Sequence, residues 1–123
     1  MENQDFPMTD GRQLREFNYV GDITNAYLLA SQHTQAVGKV LNLGNGHPHT
    51  LENVGEMIIE KMHASTKLLK NSIPRRPGES NLYCDNTETK RSIGWVPSVG
   101  LSEGLDETIK WYRTMRSDTV IAQ

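Results

Sequence analysis

The chain has little cysteine and no long apolar run, and each shortage excludes a class of protein. Cys84 is the only cysteine in 123 residues, so no disulfide can form within the chain and a reduced, intracellular protein is expected. No apolar run approaches the roughly 20 residues that a membrane-spanning helix needs. The first five residues, MENQD, are acidic and polar, unlike a signal peptide. We therefore predict a cytoplasmic protein with no membrane partner.

Neither sign of charge dominates the composition. Thirteen Lys and Arg residues face fifteen Asp and Glu residues, for a net charge of −2. This balance argues against electrostatic binding to nucleic acid. A content of 36% apolar and 23% charged residues is typical of a polar globular domain. The length fits one domain. We predict a single domain over residues 1–123, with loose termini at 1–10 and 117–123.

Four stretches have the apolar spacing and the capping residues of helices. They are the residues after Asp22, after Thr50, after Asp85 as far as Gly94, and after Ser102. The side chains of Trp95 and Trp111 are expected to anchor the core, with Tyr112 on the buried side of the last helix.

Short strands are predicted between these helices, at residues 17–20, 39–43, 67–69 and 82–84, where apolar, aromatic or β-branched side chains cluster. Residues 1–13 and 73–81 contain proline and glycine and predict loops. Alternation of strands and helices indicates an α/β (α+β) fold with about four helices. The strands are too few and too short for a good independent sheet.

Three segments, in one order, resemble a single protein family. Residues 10–22, DGRQLREFNYVGD, resemble the pattern DGxQxRDFxYVxD. Residues 40–51, VLNLGNGHPHTL, resemble xYNxGxGxxxSL, and residues 76–112 run from RPGE through IGWVP to TIKWY. Each segment alone is a weak signal. Together they resemble the C-terminal, substrate-binding part of the NAD-dependent nucleotide-sugar epimerases and dehydratases, which are extended short-chain dehydrogenase/reductases.

The resemblance implies a substrate-binding site. It assigns Arg15 and Arg76 to the diphosphate or ribose of a sugar nucleotide, Glu79 to the ribose, and Asn42 to the neighbourhood of the nucleotide. Guanidinium groups bind phosphate oxygens through paired, charge-assisted hydrogen bonds, and a carboxylate can accept hydrogen bonds from vicinal hydroxyls. Glu79 and Glu16 stand where the family usually has aspartate, and each is one methylene longer.

The groups that carry the family's chemistry are missing from these residues. The chain has no G-x-x-G-x-x-G loop for the NAD(P) pyrophosphate and no Tyr-x-x-x-Lys pair. The glycines at 44 and 46 predict a tight turn, since His49 stands where a third glycine would be required. His47 and His49 have no third metal ligand nearby. We therefore expect no catalytic residue, cofactor or metal here, and about the first half of a full-length member to be absent.

Three functions remain open. The chain could be a nucleotide-sugar-binding module without chemistry of its own, or a structural remnant that self-associates and keeps no ligand. It could also be one half of a split NAD-dependent enzyme, completed by a separate Rossmann-domain chain. The first helix and the 39–43 strand would lack the neighbours that they have in the family. An oligomer, most simply a twofold dimer, is therefore expected to complete the fold.

Overall fold

The computed structural model describes residues 4–79 and 81–121, and residues 116–121 by their backbone alone. Four α-helices and four two-residue strands lie in this part of the chain. The helices are α1 (Val20–Gln32), α2 (Leu51–Met62), α3 (Thr87–Ile93) and α4 (Leu101–Ile121), and a 3-10 turn covers Thr34–Ala36. The strands are β1 (Phe6–Pro7), β2 (Leu14–Arg15), β3 (His49–Thr50) and β4 (Leu68–Leu69). Their order along the chain is β1, β2, α1, β3, α2, β4, α3, α4. The predicted α/β class, with four helices and short strands, is confirmed.

The strands form two separate pairs. β1 runs parallel to β4, and β2 runs antiparallel to β3. Arg15 in β2 also forms a parallel bridge with Leu82. The strand predicted at 67–69 is confirmed as β4, whereas the one predicted at 82–84 is reduced to this bridge. β1 lies in a segment that was predicted to be loop, because its parallel partner β4 is 62 positions away and leaves no local signal.

Two predicted strands do not form. At residues 17–20 the chain enters α1, which begins at Val20. Residues 39–43 are irregular, and the described structure provides no strand beside them. Leu41 and Leu43 pack against the core, while Val40 is 91% exposed. The alternation of side chains is therefore that of a strand, but a strand also needs a neighbouring backbone for its hydrogen bonds.

The core lies between α1, α3 and the segment that follows α3. Trp95 is 1% exposed and packs with Ala26 and Ile93, and its indole Nε1 donates a hydrogen bond of 2.9 Å to the carbonyl oxygen of Asp22. Trp95 is thus the core anchor that was predicted. Trp111, in contrast, is 55% exposed, as is Tyr112. The prediction for these two side chains was wrong, because no described element covers that side of α4.

Two of the predicted helix ends are confirmed. The Thr50 side chain caps α2 by accepting a hydrogen bond of 3.1 Å from the Asn53 amide. Gly94 ends α3 in the left-handed region, with φ of +68°.

Three predicted caps were wrong. Asp22 lies inside the first turn of α1, whose N-cap is Tyr19, and its carboxylate bonds elsewhere. Asp85 precedes Asn86, the N-cap of α3, and its Oδ1 accepts from the amide two residues on. Ser102 is the second residue of α4. Spacing identified these helices but not their first residues, and the partners of the Asp22 carboxylate, Ser98 and Val99, are decided by the tertiary fold.

Candidate functional site

Strand β2 brings three distant segments together. It pairs with β3 on one side, and the Leu82 amide donates a hydrogen bond of 3.1 Å to the Leu14 carbonyl on the other. The Leu14 amide in turn donates to Asn81 Oδ1 at 3.0 Å. These two bonds hold β2 against residues 81 and 82. They therefore place Arg15, the residue after Leu14, beside the loop that precedes Asn81. The loop residues up to Glu79, together with Asn81, therefore form one wall of the candidate site.

Arg15 and Glu79 form an ion pair in this site. Arg15 Nη2 lies 2.8 Å from Glu79 Oε1, and Nη1 donates to the Leu14 carbonyl at 2.8 Å. The two side chains are 25% and 17% exposed, so the pair is largely shielded from water yet open at one side. A turn places the glutamate here: its amide donates to the Arg76 carbonyl at 3.2 Å, and Gly78 has φ of +75°.

Arg75 joins this pair, a contact that no pattern in the sequence predicted. Its Nε lies 3.7 Å from Glu79 Oε2, and its Nη1 lies 3.7 Å from Asp10 Oδ2. These distances are ionic contacts rather than hydrogen bonds. The signal in the sequence was two consecutive arginines, and only the fold shows that Arg75 turns toward the glutamate. Two guanidinium groups and two carboxylates, those of Arg15, Arg75, Asp10 and Glu79, thus meet at this surface.

The other two predicted site residues do not contact this pair. Arg76 is exposed, and its side chain makes no ion pair with the described residues. Asn42 lies by α3, where its Nδ2 donates to the Asp85 carbonyl at 3.3 Å and its own carbonyl accepts from Thr89 Oγ1 at 2.6 Å. The structure therefore brings together Arg15 and Glu79. The ligand roles of all four residues stay predictions.

Glu16, the residue after β2, forms hydrogen bonds with two distant segments, the 44–46 turn and residue 84. Its Oε1 accepts a hydrogen bond of 2.5 Å from the Gly46 amide, and its Oε2 accepts one of 2.9 Å from the Cys84 amide. Gly44 lies so close that a Cβ there would be 2.3 Å from Cys84 Sγ and 2.5 Å from Glu16 Oε1. This packing requires glycine and holds the 44–46 turn against residue 84.

The 44–46 turn does not fit a dinucleotide. A pyrophosphate needs free backbone amides at the start of a helix. Here the Gly46 amide bonds to Glu16, and the His47 amide donates to Asn45 Oδ1 at 2.7 Å. The next helix, α2, starts only at Leu51 and is capped by Thr50. The residues present therefore do not form an NAD(P) loop.

The remaining candidates for reactive side chains are the thiol of Cys84 and the groups that can bind a metal ion. Burial raises the pKa of the half-buried Cys84 thiol, and the neighbouring Glu16 carboxylate raises it further, which disfavours the thiolate. Over residues 4–79 and 81–121, no group of three or more His, Cys, Asp or Glu side chains could hold a metal ion. No helix in those residues is both long and apolar enough to cross a membrane.

An apolar groove of about 560 Å³ lies between the start of α1 and α4. Its walls include Phe17, Tyr19, Val99, Leu105 and Trp111. Polar groups are few along it, so the groove suits an apolar partner surface rather than a charged ligand. It is distinct from the Arg15–Glu79 pair.

Comparison with known proteins places the chain in a family. The family model described as GDP-mannose 4,6 dehydratase matches residues 1–108. The dTDP-glucose 4,6-dehydratase of Streptomyces niveus is 30% identical over 119 residues, covering 95% of this chain and 35% of that protein. The UDP-glucose 4-epimerase of Bacillus subtilis is 30% identical over 114 residues, covering 87% of this chain and 32% of that protein. The chain thus spans about a third of the length of these relatives.

Solved structures share the fold. An epimerase from Methanothermobacter thermautotrophicus superposes with a TM-score of 0.87 at 25% identity, over 98% of this chain and 36% of that one. The UDP-glucose 4-epimerase of Thermotoga maritima, solved with UDP-glucose, gives 0.78 at 30% identity, over 90% of this chain and 35% of that one. These 123 residues belong to the GDP-mannose 4,6 dehydratase family of NAD-dependent nucleotide-sugar epimerases and dehydratases, of whose members they cover a part.

Proposed function

We propose that these residues form a sugar-nucleotide-binding module that carries no catalytic group of its own. The observation that carries the proposal is the ion pair of Arg15 and Glu79, which joins β2 to the loop before Leu82 across 64 positions of sequence. Arg15 and Arg76 bind the diphosphate, Glu79 accepts hydrogen bonds from the ribose hydroxyls, and Asn42 lies toward the nucleotide.

The chemistry of the cluster supports an anionic ligand. Arg15 and Arg75 are matched in charge by Asp10 and Glu79, and the exposed Arg76, next to Arg75 in the chain, adds a positive charge that no described residue pairs. Planar guanidinium groups hold phosphate oxygens in paired hydrogen bonds. Relatives named for dTDP-, UDP- and GDP-linked sugars support a nucleoside diphosphate as the common part of the ligand.

Calorimetric titration of the purified chain with UDP-glucose, dTDP-glucose and GDP-mannose tests the proposal. We expect saturable binding to at least one of them, weakened about tenfold or more by Arg15→Ala, since a hydrogen bond to a charged group is lost. Arg91→Ala is the matched control. It also removes one positive charge, but Arg91 pairs with Glu88 on α3 and is 77% exposed.

Absence of binding by any of the three ligands at millimolar concentration would contradict the proposal. Equal loss of affinity in the Arg15 and Arg91 variants would show that net charge, rather than this site, attracts the ligand.

A second candidate function, self-association, has its own supporting observation. Large apolar side chains along the groove and α1 are exposed to solvent: Val20 is 71% exposed, Tyr27 68%, Leu28 57% and Trp111 55%. Apolar patches of this kind usually mark an interaction surface. A second copy of the chain is the simplest occupant, because a twofold dimer buries the same patch on both partners. The same exposed faces would also suit a separate Rossmann-domain chain, as in a split enzyme.

A further inference from the structure

Glu79 is shared by two guanidinium groups. Its Oε1 accepts a hydrogen bond of 2.8 Å from Arg15, and its Oε2 lies 3.7 Å from Arg75 Nε. The carboxylate is the less exposed partner, at 17% against 25% for Arg15 and 41% for Arg75. The Glu79 carboxylate therefore lies between the two guanidinium groups, where an anionic ligand would be attracted most strongly by both.

We infer that Glu79 is an internal counter-ion, which holds Arg15 and Arg75 together in the unliganded protein and gives up Arg15 to a diphosphate. The inference rests on the proposed function, since it concerns how the same site takes its ligand. It adds Arg75 as a third phosphate-binding residue beside Arg15 and Arg76.

Competition for the same donors is the physical reason. A guanidinium group has five N–H donors, and a carboxylate and a phosphate both fit its paired donors. Arg15 Nη1 is bonded to the Leu14 carbonyl and Nη2 to Glu79, so a diphosphate that uses this pair of nitrogens must displace the Glu79 bond or share it. The longer glutamate, in place of the family's usual aspartate, extends the carboxylate by one methylene toward Arg15.

Displacement of Glu79 from Arg15 would also prepare the site for the ribose of the ligand. A carboxylate bonded to Arg15 has fewer free lone pairs for the ribose hydroxyls. Once a diphosphate takes Arg15, the Glu79 oxygen that faced it becomes available as a hydroxyl acceptor. Binding of the diphosphate and binding of the ribose are then coupled through one side chain.

The test compares inorganic pyrophosphate, which has no ribose, with UDP in calorimetric titrations. Glu79→Gln keeps the shape and removes the charge. Glu60→Gln is the matched control, because it changes the net charge equally on the exposed face of α2. We expect Glu79→Gln to bind pyrophosphate about fivefold tighter than wild type, the size of a partly exposed ion pair. Long-range charge alone should change the affinity of Glu60→Gln less than about twofold.

UDP should separate the two roles of Glu79. The gain from Glu79→Gln should be smaller for UDP than for pyrophosphate, because the amide is a poorer acceptor for the ribose hydroxyls. Glu79→Asp, which keeps the charge but retracts it, should bind pyrophosphate with an affinity between those of wild type and Glu79→Gln. Arg75→Gln should weaken pyrophosphate binding about threefold. Far-UV circular dichroism checks that each variant is folded.

The outcomes separate this inference from the proposed function. If sugar nucleotides bind to wild type but Glu79→Gln gains no more for pyrophosphate than Glu60→Gln, Glu79 is not a competing counter-ion and only the inference falls. The inference also falls if wild type binds sugar nucleotides while neither it nor Glu79→Gln binds pyrophosphate. If no variant binds any ligand, the proposed function falls as well.

Discussion

At the scale of single residues, Asp22 joins the start of α1 to the segment before α4. Its carboxylate, 7% exposed, accepts hydrogen bonds from the Ser98 amide at 3.1 Å, the Ser98 hydroxyl at 2.8 Å and the Val99 amide at 3.0 Å. Burial alone raises the pKa of Asp22, but the hydrogen bonds from Val99 and Ser98 outweigh it and hold the pKa below its ordinary value. This residue therefore stabilises the fold as an anion.

Replacing Asp22 by asparagine should lower the free energy of unfolding by about 2 kcal/mol, since two backbone amides and one hydroxyl lose a charged acceptor. Urea denaturation followed by circular dichroism measures the change. Asp106→Asn is the control, because Asp106 is 59% exposed and its pair with Lys61 lies at the surface. A loss in Asp22→Asn no larger than in Asp106→Asn would contradict the role given to this carboxylate.

The same residue should make stability depend on pH. Because the pKa of Asp22 is lower in the folded than in the unfolded chain, its contribution is complete above the unfolded value of about 3.9. It is lost as the pH falls through the lowered folded value. The difference in unfolding free energy between wild type and Asp22→Asn should therefore be constant near neutral pH and shrink below about pH 4. A difference that grows in acid would contradict this.

At the scale of elements, α2 depends on its cap. Thr50→Ala should destabilise the chain by about 1 kcal/mol, because the Asn53 amide loses its acceptor. Thr24→Ala is the matched control: the Thr24 hydroxyl only donates back to the Val20 carbonyl within α1, so the change should be close to neutral. Urea midpoints of the two variants give the comparison, and equal shifts would contradict the capping role.

The turn at 44–46 depends on a close approach between elements. Gly44→Ala should cost about 2 kcal/mol, since the added methyl would overlap Cys84 Sγ and Glu16 Oε1. Gly100→Ala is a suitable control, because a Cβ at position 100 meets nothing within 4 Å. Thermal unfolding of both variants measures the difference. A Gly44→Ala protein as stable as wild type would contradict this prediction, because it would show that the turn can move away from Cys84 and Glu16 at little cost.

At the scale of the whole molecule, the bare apolar side chains predict self-association. Sedimentation velocity of wild type should show a dimer, and Trp111→Ser should shift it toward monomer by removing a large apolar contact. Val40→Ser tests the other surface, since Val40 is 91% exposed on the segment predicted to be an edge strand. A monomeric wild type would contradict the prediction. Dissociation by Val40→Ser alone would place the interface at residues 39–43 instead of the groove.

Much of the fold followed from periodicity. The apolar spacing in α1, α2, α3 and α4 is a local property, so all four helices were predicted, as was the buried Trp95. Of the four strands only β4 was predicted, because a two-residue strand such as β1 exists only through a partner 62 positions away. Exposure of Trp111 was missed for a related reason: an aromatic side chain at helical spacing indicates a face that can be buried, not whether anything covers it.

For the candidate site, the sequence by itself determined which residue types were present: arginines at 15 and 76 and a glutamate at 79 in the order of a known family. Only the tertiary structure decided that Glu79 meets Arg15, that Arg75 joins them, and that Asn42 bonds beside α3 instead. The physical reason is range. Helices and caps depend on neighbours within a few positions, whereas an ion pair between residues 64 positions apart depends on the backbone pairing of β2 that brings them together.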